Sequence, residues 1–508
     1  MKEAEDTIIE SKSSAETSER IIRNVAEAID WVLNHKSITL YEFEKQLIAK
    51  IFEIGKLFVL LFLCMRDEYF LSTHPEADAD YQYQKPNARV LGCFFGKIRY
   101  WRSYLYNLDC GGGYYPLDVE LGLTKDGFSI LVQSYASRIA TKVSYAQTVG
   151  LLSLFLCWSP AQKTIEETVL GFGKYTTDWF ASAPAPDDDG EVLVIQVDSK
   201  ASPTATEEEL EKRRGERRAN PHPGSQRHRG KAARKARGKK KRRKKGDKAK
   251  NGKMATIVVM YTLKRSKDGA LEGPINKWVY ASYAPKRHAV AIARREANKR
   301  GFVNGDGKLV QVVTDGDNDL ARYIEEFFPN ATHTIDVFHV IEYLWEAGGC
   351  LYQEGSAELS EWVEAQKEAL YEGRAREVIN EIKKRLAMLR KRGNHRWERL
   401  EKIKNYLEKR MDKMNYKSLR DQDLEISSGA VEGAVRYVIA QRFDNGGMRW
   451  IKERAEALLQ LRCIEINGAW DGFISFVHDR MRQQAERLKK TSPLTCAEPT
   501  PLPIYGCC

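Results

Sequence analysis

Glu191–Lys200, EVLVIQVDSK, and Lys308–Asp317, KLVQVVTDGD, decide the fold. Each is a Val/Ile-rich run short enough for a buried strand, and each leads into an acid, Asp198 in the first and Asp315 in the second. A third acid, Glu432, stands in the first turn of SSGAVEGAVRYVI, where Val431, Val435 and Val438 fall on one helical stripe. Taken singly, such acids are ordinary turn and cap residues. Together, on two strand ends and a helix, they predict a two-metal phosphodiester site. Carboxylate oxygens suit Mg²⁺, and two ions roughly 4 Å apart clamp the attacking and leaving oxygens.

Working outward, strands are expected at 191–198, 254–263, 276–283, 308–314 and 331–335, with helices at about 286–300 and 318–328. Three strands, then helix, strand, helix, strand is the order of an α/β, ribonuclease H-like mixed sheet. Long charged helices follow, punctuated by Trp345, Trp362 and Trp397. We therefore expect a catalytic core in two segments: the first at 191–348 and the second, with the C-terminal helices, at 426–485. A helical insertion at 349–425 separates them. A mainly helical N-terminal region precedes the sheet: 1–20 disordered, 21–87 helical, 88–125 a small β-hairpin region, and 126–182 helical. In that last stretch two helices around Ser159 and Pro160 have the format of a helix-turn-helix. Residues 486–508 are Pro-rich and expected to be disordered.

The net charge of +12 is localised. Between Lys212 and Lys253 there are 21 Lys and Arg against Glu216 and Asp247, a balance of +19, so the remainder carries 61 basic and 68 acidic residues, or −7. A run this charged stays solvated, and Lys240, Arg242, Arg243 and Lys244 in it would neutralise DNA phosphates without reading sequence. The nine Cys form no CxxC, which speaks against a zinc ribbon or a disulfide framework and fits a cytoplasmic setting. The longest apolar run, Leu57–Met65, is about half of a membrane span, so a buried helix and no membrane partner are expected.

VDSK, TDGD, SSGAVEGAV, GMRW (447–450) and AEALLQLRC (455–463) resemble, in that order, the bacterial insertion-sequence DDE transposases of the ISKra and ISLre groups, relatives of the Mutator-like enzymes. The resemblance implies Mg²⁺ (or Mn²⁺) held by Asp198, Asp315 and Glu432, cleavage and joining of double-stranded DNA at transposon ends and target, and a homo-oligomer on DNA, nucleoid-associated when bound. It also singles out Asp336 and His339 of IDVFHV, His339 near the scissile phosphate or a flipped base. Relatives often carry paired cysteines near the N-terminal hairpin, and Cys93 and Cys110 have no such partners here.

Further residues have two readings each. Asp317 is the cap of the helix that follows it, or a substitute for Asp315 as ligand. Arg442, Arg449 and Trp450 are DNA contacts, the Arg on phosphate and the Trp on an extruded base, or core. Two other functions stay open: a non-catalytic DNA-binding protein derived from a transposase, and a ribonuclease H-type nuclease.

Overall fold

In the computed structural model, residues 8–35, 37–74, 81–107, 112–123, 127–212, 252–302, 308–389, 395–444 and 448–490 are described. The chain divides into two compact units, residues 1–179 with 468–508, and residues 180–467.

The first unit opens with β1 (Ile9–Ser11) and α1 (Ser14–Asn34), so the expected disorder over 1–20 is corrected from residue 8 on. β1 is a three-residue strand that pairs in parallel with β3, a long-range contact for which the local sequence carries no period. The long α2 (Leu40–Thr73) begins on a capping box between Thr39 and Glu42. β2 (Tyr81–Cys93) and β3 (Gly96–Asn107) form the hairpin, which starts before the expected 88. Leu57, Leu60 and Leu63 of α2 pack with Leu91, Ile98 and Tyr100 of the hairpin in one apolar cluster. Arg102 pairs with Asp118 and stacks on Tyr115 inside this sheet, and Arg99 pairs with Glu10 at its surface. After β4 (Gly113–Tyr114) come α3 (Pro116–Glu120), α4 (Ile130–Ala140), α5 (Tyr145–Leu156), α6 (Gln162–Gly173) and α7 (Thr176–Ser182). α6 is capped at Ala161 and not at Ser159, whose hydroxyl instead donates to the carbonyl of Pro160. No helix among the described residues is long and apolar enough to cross a membrane.

The second unit is built on a five-stranded sheet. β5 (Val192–Pro203), β6 (Gly252–Arg265) and β7 (Leu271–Ser282) form an antiparallel meander; β8 (Leu309–Thr314) and β9 (Thr332–Ile335) add in parallel, giving the order β7-β6-β5-β8-β9. Val192–Val197 are all buried, as expected for a central strand covered on both faces. α8 (Lys286–Lys299) and α9 (Asn318–Phe327) are the connecting helices. The mixed α/β architecture with a helical N-terminal region is thus present. β5 runs five residues past Asp198, because its antiparallel ladder with β6 continues to Pro203↔Gly252 after the parallel ladder with β8 has stopped at Val197↔Thr314.

Beyond β9 the chain forms α10 (Val337–Leu351), α11 (Ala357–Tyr371), α12 (Ala375–Met388), α13 (His395–Glu408) and α14 (Tyr416–Arg420) before returning to the sheet. Trp362 is buried within these helices, while Trp345 stays 42% exposed. The return segment enters α15 (Gly429–Ala434), continues as a π-helix over Val435–Asp444, and ends in α16 (Lys452–Ile466). The wide π turns are held from the side by buried Arg462, whose guanidinium donates to the carbonyls of Tyr437 and Val438 at 3.2 and 2.9 Å.

Candidate active site

Register brings the acids together. The last β5–β8 pair is Val197↔Thr314 and the last β8–β9 pair is Thr314↔Ile335, so the next residue on each strand line is an acid: Asp198, Asp315 and Asp336. Residues in register project from the same face of a sheet, as do residues two apart on one strand. The same face therefore also carries Gln196, two before Asp198, and Gln311, four before Asp315.

Those two amides dock the segment that bears the third acid. Gln196, buried, donates to the Ser427 carbonyl at 3.1 Å and accepts from the Val431 amide at 2.9 Å. Gln311, fully buried, donates to the Glu425 carbonyl and accepts from the Glu425 amide at 3.0 Å. The Val337 amide adds a bond to the Ile426 carbonyl at 2.9 Å. A polar side chain inside a strand is costly unless bonded; besides these backbone groups more than 100 residues away, Gln196 donates to Tyr261 Oη at 3.0 Å and Gln311 to Thr334 Oγ1 at 3.1 Å. Sequence reasoning missed both; the signal was an amide inside each of two otherwise apolar runs. Gln311→Leu should lower stability by about 1–3 kcal/mol, because the Glu425 peptide loses both partners while the leucine fits an apolar strand. Urea unfolding checks this, and an unchanged midpoint would mean that the docking contributes nothing.

Glu432 is exposed, in the first turn of α15, over the carboxylate row. The Ser428 hydroxyl donates to Asp336 Oδ2 at 2.6 Å and lies 3.5 Å from Glu432 Oε1, joining strand end and helix. Ser428, a third residue that sequence reasoning missed, spends its side chain here and makes no cap to its own helix.

Charge is crowded around Asp198. Burial pushes its carboxyl above the ordinary range; the Ser199 amide, 2.6 Å from Oδ1, and His339 oppose this, while the charges of Asp315 and Glu432 push it further up. The charges of both other acids are thus felt at Asp198, and His339 supplies positive charge. The imidazole is pushed up to about 9 by its hydrogen bond to Asp336, Nδ1 to Oδ2 at 3.1 Å, against the cost of burial. It is therefore an imidazolium at neutral pH. Asp336 is wholly buried; burial would raise its carboxyl, but His339, Ser428 and the Phe338 amide hold it below the ordinary range. Among the described residues, the His, Cys, Asp and Glu side chains whose ligand atoms lie within 4.8 Å of one another as a group of three are Asp336, His339 and Glu432. With His339 held protonated by Asp336, these two form an ion pair beside the carboxylates.

Asp315 follows β8 directly, and its Oδ1 accepts the Asp317 amide at 3.0 Å. Asp317 caps α9 through the Leu320 amide and pairs with Lys286 at 2.7 Å. Burial alone would raise the Asp317 carboxyl, and the bonds from Lys286 and Leu320 outweigh it. These bonds commit Asp317 to its cap. The Asp315–Asp317 loop is gripped from the helical insertion. Tyr406 Oη donates to the Asp315 carbonyl at 2.7 Å, and the buried Arg410 donates through Nε to the Gly316 carbonyl at 2.9 Å and through Nη2 to Asn318 Oδ1 at 2.7 Å.

The remaining expected residues are distributed differently. Arg442 and Trp450 are buried against each other, guanidinium 4.7 Å from the ring centroid, and Trp450 bridges to Thr204 just past β5. In this conformation they are packing residues, which corrects their reading as DNA contacts. Burial wins because a stacked Arg–Trp pair hides an apolar ring and a weakly hydrated cation together. Arg449 between them is exposed. Lys240, Arg242, Arg243 and Lys244 lie outside the described residues; the ends of their segment return to the sheet at Pro203 and Gly252, five residues beyond Asp198.

Part of the chain matches a known family. Residues 288–426 match the transposase family model DDE_Tnp_ISL3. That stretch supports an insertion-sequence transposase. It contains Asp315, Asp336, His339 and the inserted helices, and it ends six residues before Glu432. The finer ISKra and ISLre grouping is not part of it. No curated protein matches the chain. Among solved structures the chain is similar to the Drosophila P element transposase strand transfer complex, at 12% identity over 73% of this chain and 86% of that one, with a TM-score of 0.23, too low to carry an argument.

Proposed function

We propose that this chain is a DDE transposase, related to the ISKra and ISLre groups, which cleaves and joins DNA at the ends of an insertion sequence on a ribonuclease H-like core. The observation that carries the reading is the register that sets Asp198, Asp315 and Asp336 on neighbouring strand ends, with Glu432 beside Asp336 and His339 and its charge felt at Asp198; Asp198, Asp315 and Glu432 each stand 117 positions from the next (315 − 198 and 432 − 315). The sheet order β7-β6-β5-β8-β9, with an antiparallel meander and two added parallel strands, supports the fold.

Asp198, Asp315 and Glu432 would hold Mg²⁺ or Mn²⁺. The donor set fits: its ligand atoms are carboxylate oxygens, and the like charges that push Asp198 up are relieved by a cation. Bound divalent ions supply Lewis-acid activation of water or a 3′-hydroxyl and neutralise charge on phosphorus oxygens. The protein's own role is to fix the carboxylates through Gln196, Gln311 and Ser428, and to present the His339 imidazolium to a phosphate oxygen, with Asp336 keeping it charged. Arg449 and the basic segment would hold the DNA backbone, and the protein would act as a homo-oligomer on transposon ends and target. The test is nicking and strand transfer on a supercoiled plasmid carrying the DNA that flanks the reading frame, in Mg²⁺ and Mn²⁺. Cleavage at the element's ends is expected; binding without cleavage in either ion gives the non-catalytic reading instead.

The segment between β5 and β6 should add affinity without specificity. Removing residues 213–251 should flatten the dependence of log K on log salt, since each phosphate contact contributes a slope of about −0.9. Equal slopes for the full chain and the deletion would show that the segment does not touch DNA.

A further inference from the structure

α2 is apolar on two faces. Leu57, Leu60, Leu63 and Cys64 point into the core of the first unit. On the other face Tyr41, Ile48, Ile51, Phe58, Phe62, Met65 and Tyr69 are all exposed, between 45% and 73%. Their spacing, with steps of seven, three, seven, four, three and four, is that of heptad a and d positions. α1 repeats the pattern with Ile22, Val25, Ile29 and Val32, also exposed.

The two seams share one side of the helical pair. α1 and α2 are antiparallel neighbours, since Ser14 at the start of α1 bonds Glu68 near the end of α2 at 2.8 Å and Trp31 stacks on Phe43. Trp31 and Lys50 face each other across the pair. The residues that follow them, Val32 and Ile51, belong to the seams, so each seam is turned about 100° from the contact face in the same sense. In an antiparallel pair related by a twofold axis normal to its plane, equal turns lead to the same side.

We propose that this side is the interface of a homodimer, in which the α1–α2 pair of one protomer packs on the α1–α2 pair of a second copy as a four-helix layer. An apolar stripe along a helix normally faces a packing partner. With each side chain about half exposed, the seams offer roughly 1,000 Å² per protomer, beyond the largest patch of a typical monomer and above the about 800 Å² per partner of a standard stable interface. The α2 seam, from Tyr41 to Tyr69, is about 40 Å long, and a twofold-related copy presents helices with the same spacing and length. This interface does not depend on DNA or on the catalytic reading, so its test omits both.

Light scattering coupled to gel filtration on the full chain at about 10 μM, without DNA, should give twice the mass of one chain. Phe58→Glu with Phe62→Glu should give a single-chain mass and leave helix content and Tm nearly unchanged, because both side chains are exposed within the protomer. A second pair, Ile29→Glu with Ile48→Glu, tests the rest of the face if the first fails to fold. A monomeric wild type, or dimers that survive both pairs, would overturn the proposal. So would a wild-type monomer that dimerises only after removal of residues 491–508, which would give the face to the chain's own tail. Binding of a monomeric wild type to phosphatidylcholine vesicles, lost in the variants, would also overturn it by giving the face to lipid.

Discussion

Asp198→Ala, Asp315→Ala and Glu432→Ala are each expected to reduce DNA cleavage below detection while leaving DNA affinity within about twofold. Loss of one oxygen ligand from a two-ion site removes stabilisation of charge that develops only in the transition state, and single contributions of that kind are worth about 10²–10³ in rate. Affinity comes chiefly from phosphate contacts by cations, which these variants keep. The three should not behave alike in stability. Burial pushes the Asp198 carboxyl up and the charges of Asp315 and Glu432 add to this, so Asp198→Ala removes a buried, repelled charge and should raise Tm, whereas Glu432→Ala, at an exposed site beside His339 and Ser428, should leave Tm nearly unchanged. Higher stability with lost cleavage is the signature of a site strained for function. A variant among the three that still nicks the plasmid in Mg²⁺ at wild-type rate would remove its residue from the site.

How much of this was legible in the sequence follows the range of each interaction. The Val/Ile runs, the meander and the Asp317 cap are set by neighbours within a few residues, and periodicity finds them. The three acids were legible as residue types at element ends. The alignment of Asp198 with Asp315 rests on parallel register, since Val197↔Thr314 makes them the next pair. Register between strands 117 residues apart cannot be read from one chain. The docking amides Gln196 and Gln311 looked like isolated polar residues until their backbone partners at 425–431 were in place. Arg442 and Trp450 show the opposite error: types that suit DNA were spent on packing, because each covers the other. The short β1 has too few residues for a period and exists by virtue of β3.

Gly316→Ala should be the most damaging change outside the acids. Gly316 has φ +82°, in the left-handed region, where a β-carbon is strained. An added Cβ would also stand 2.4 Å from Tyr406 Oη and 2.8 Å from Arg410 Nε, the two groups that grip this loop. Neither can retreat freely. Tyr406 bonds the Asp315 carbonyl and Arg410 bonds Gly316 and Asn318, while Arg410 is buried over the Tyr406 ring at 4.0 Å. The loop must therefore shift, and Asp315 with it, by an amount comparable with the roughly 0.5 Å tolerance of a catalytic constellation. A displacement near 1 Å costs about 100-fold in rate. Tyr406→Phe, which removes one bond without adding an atom, should cost about tenfold by the same route. Cleavage rates at saturating DNA, taken well below a Tm measured on the same samples, separate displacement from unfolding. Wild-type cleavage by a folded Gly316→Ala protein would show that the inserted helices do not position Asp315.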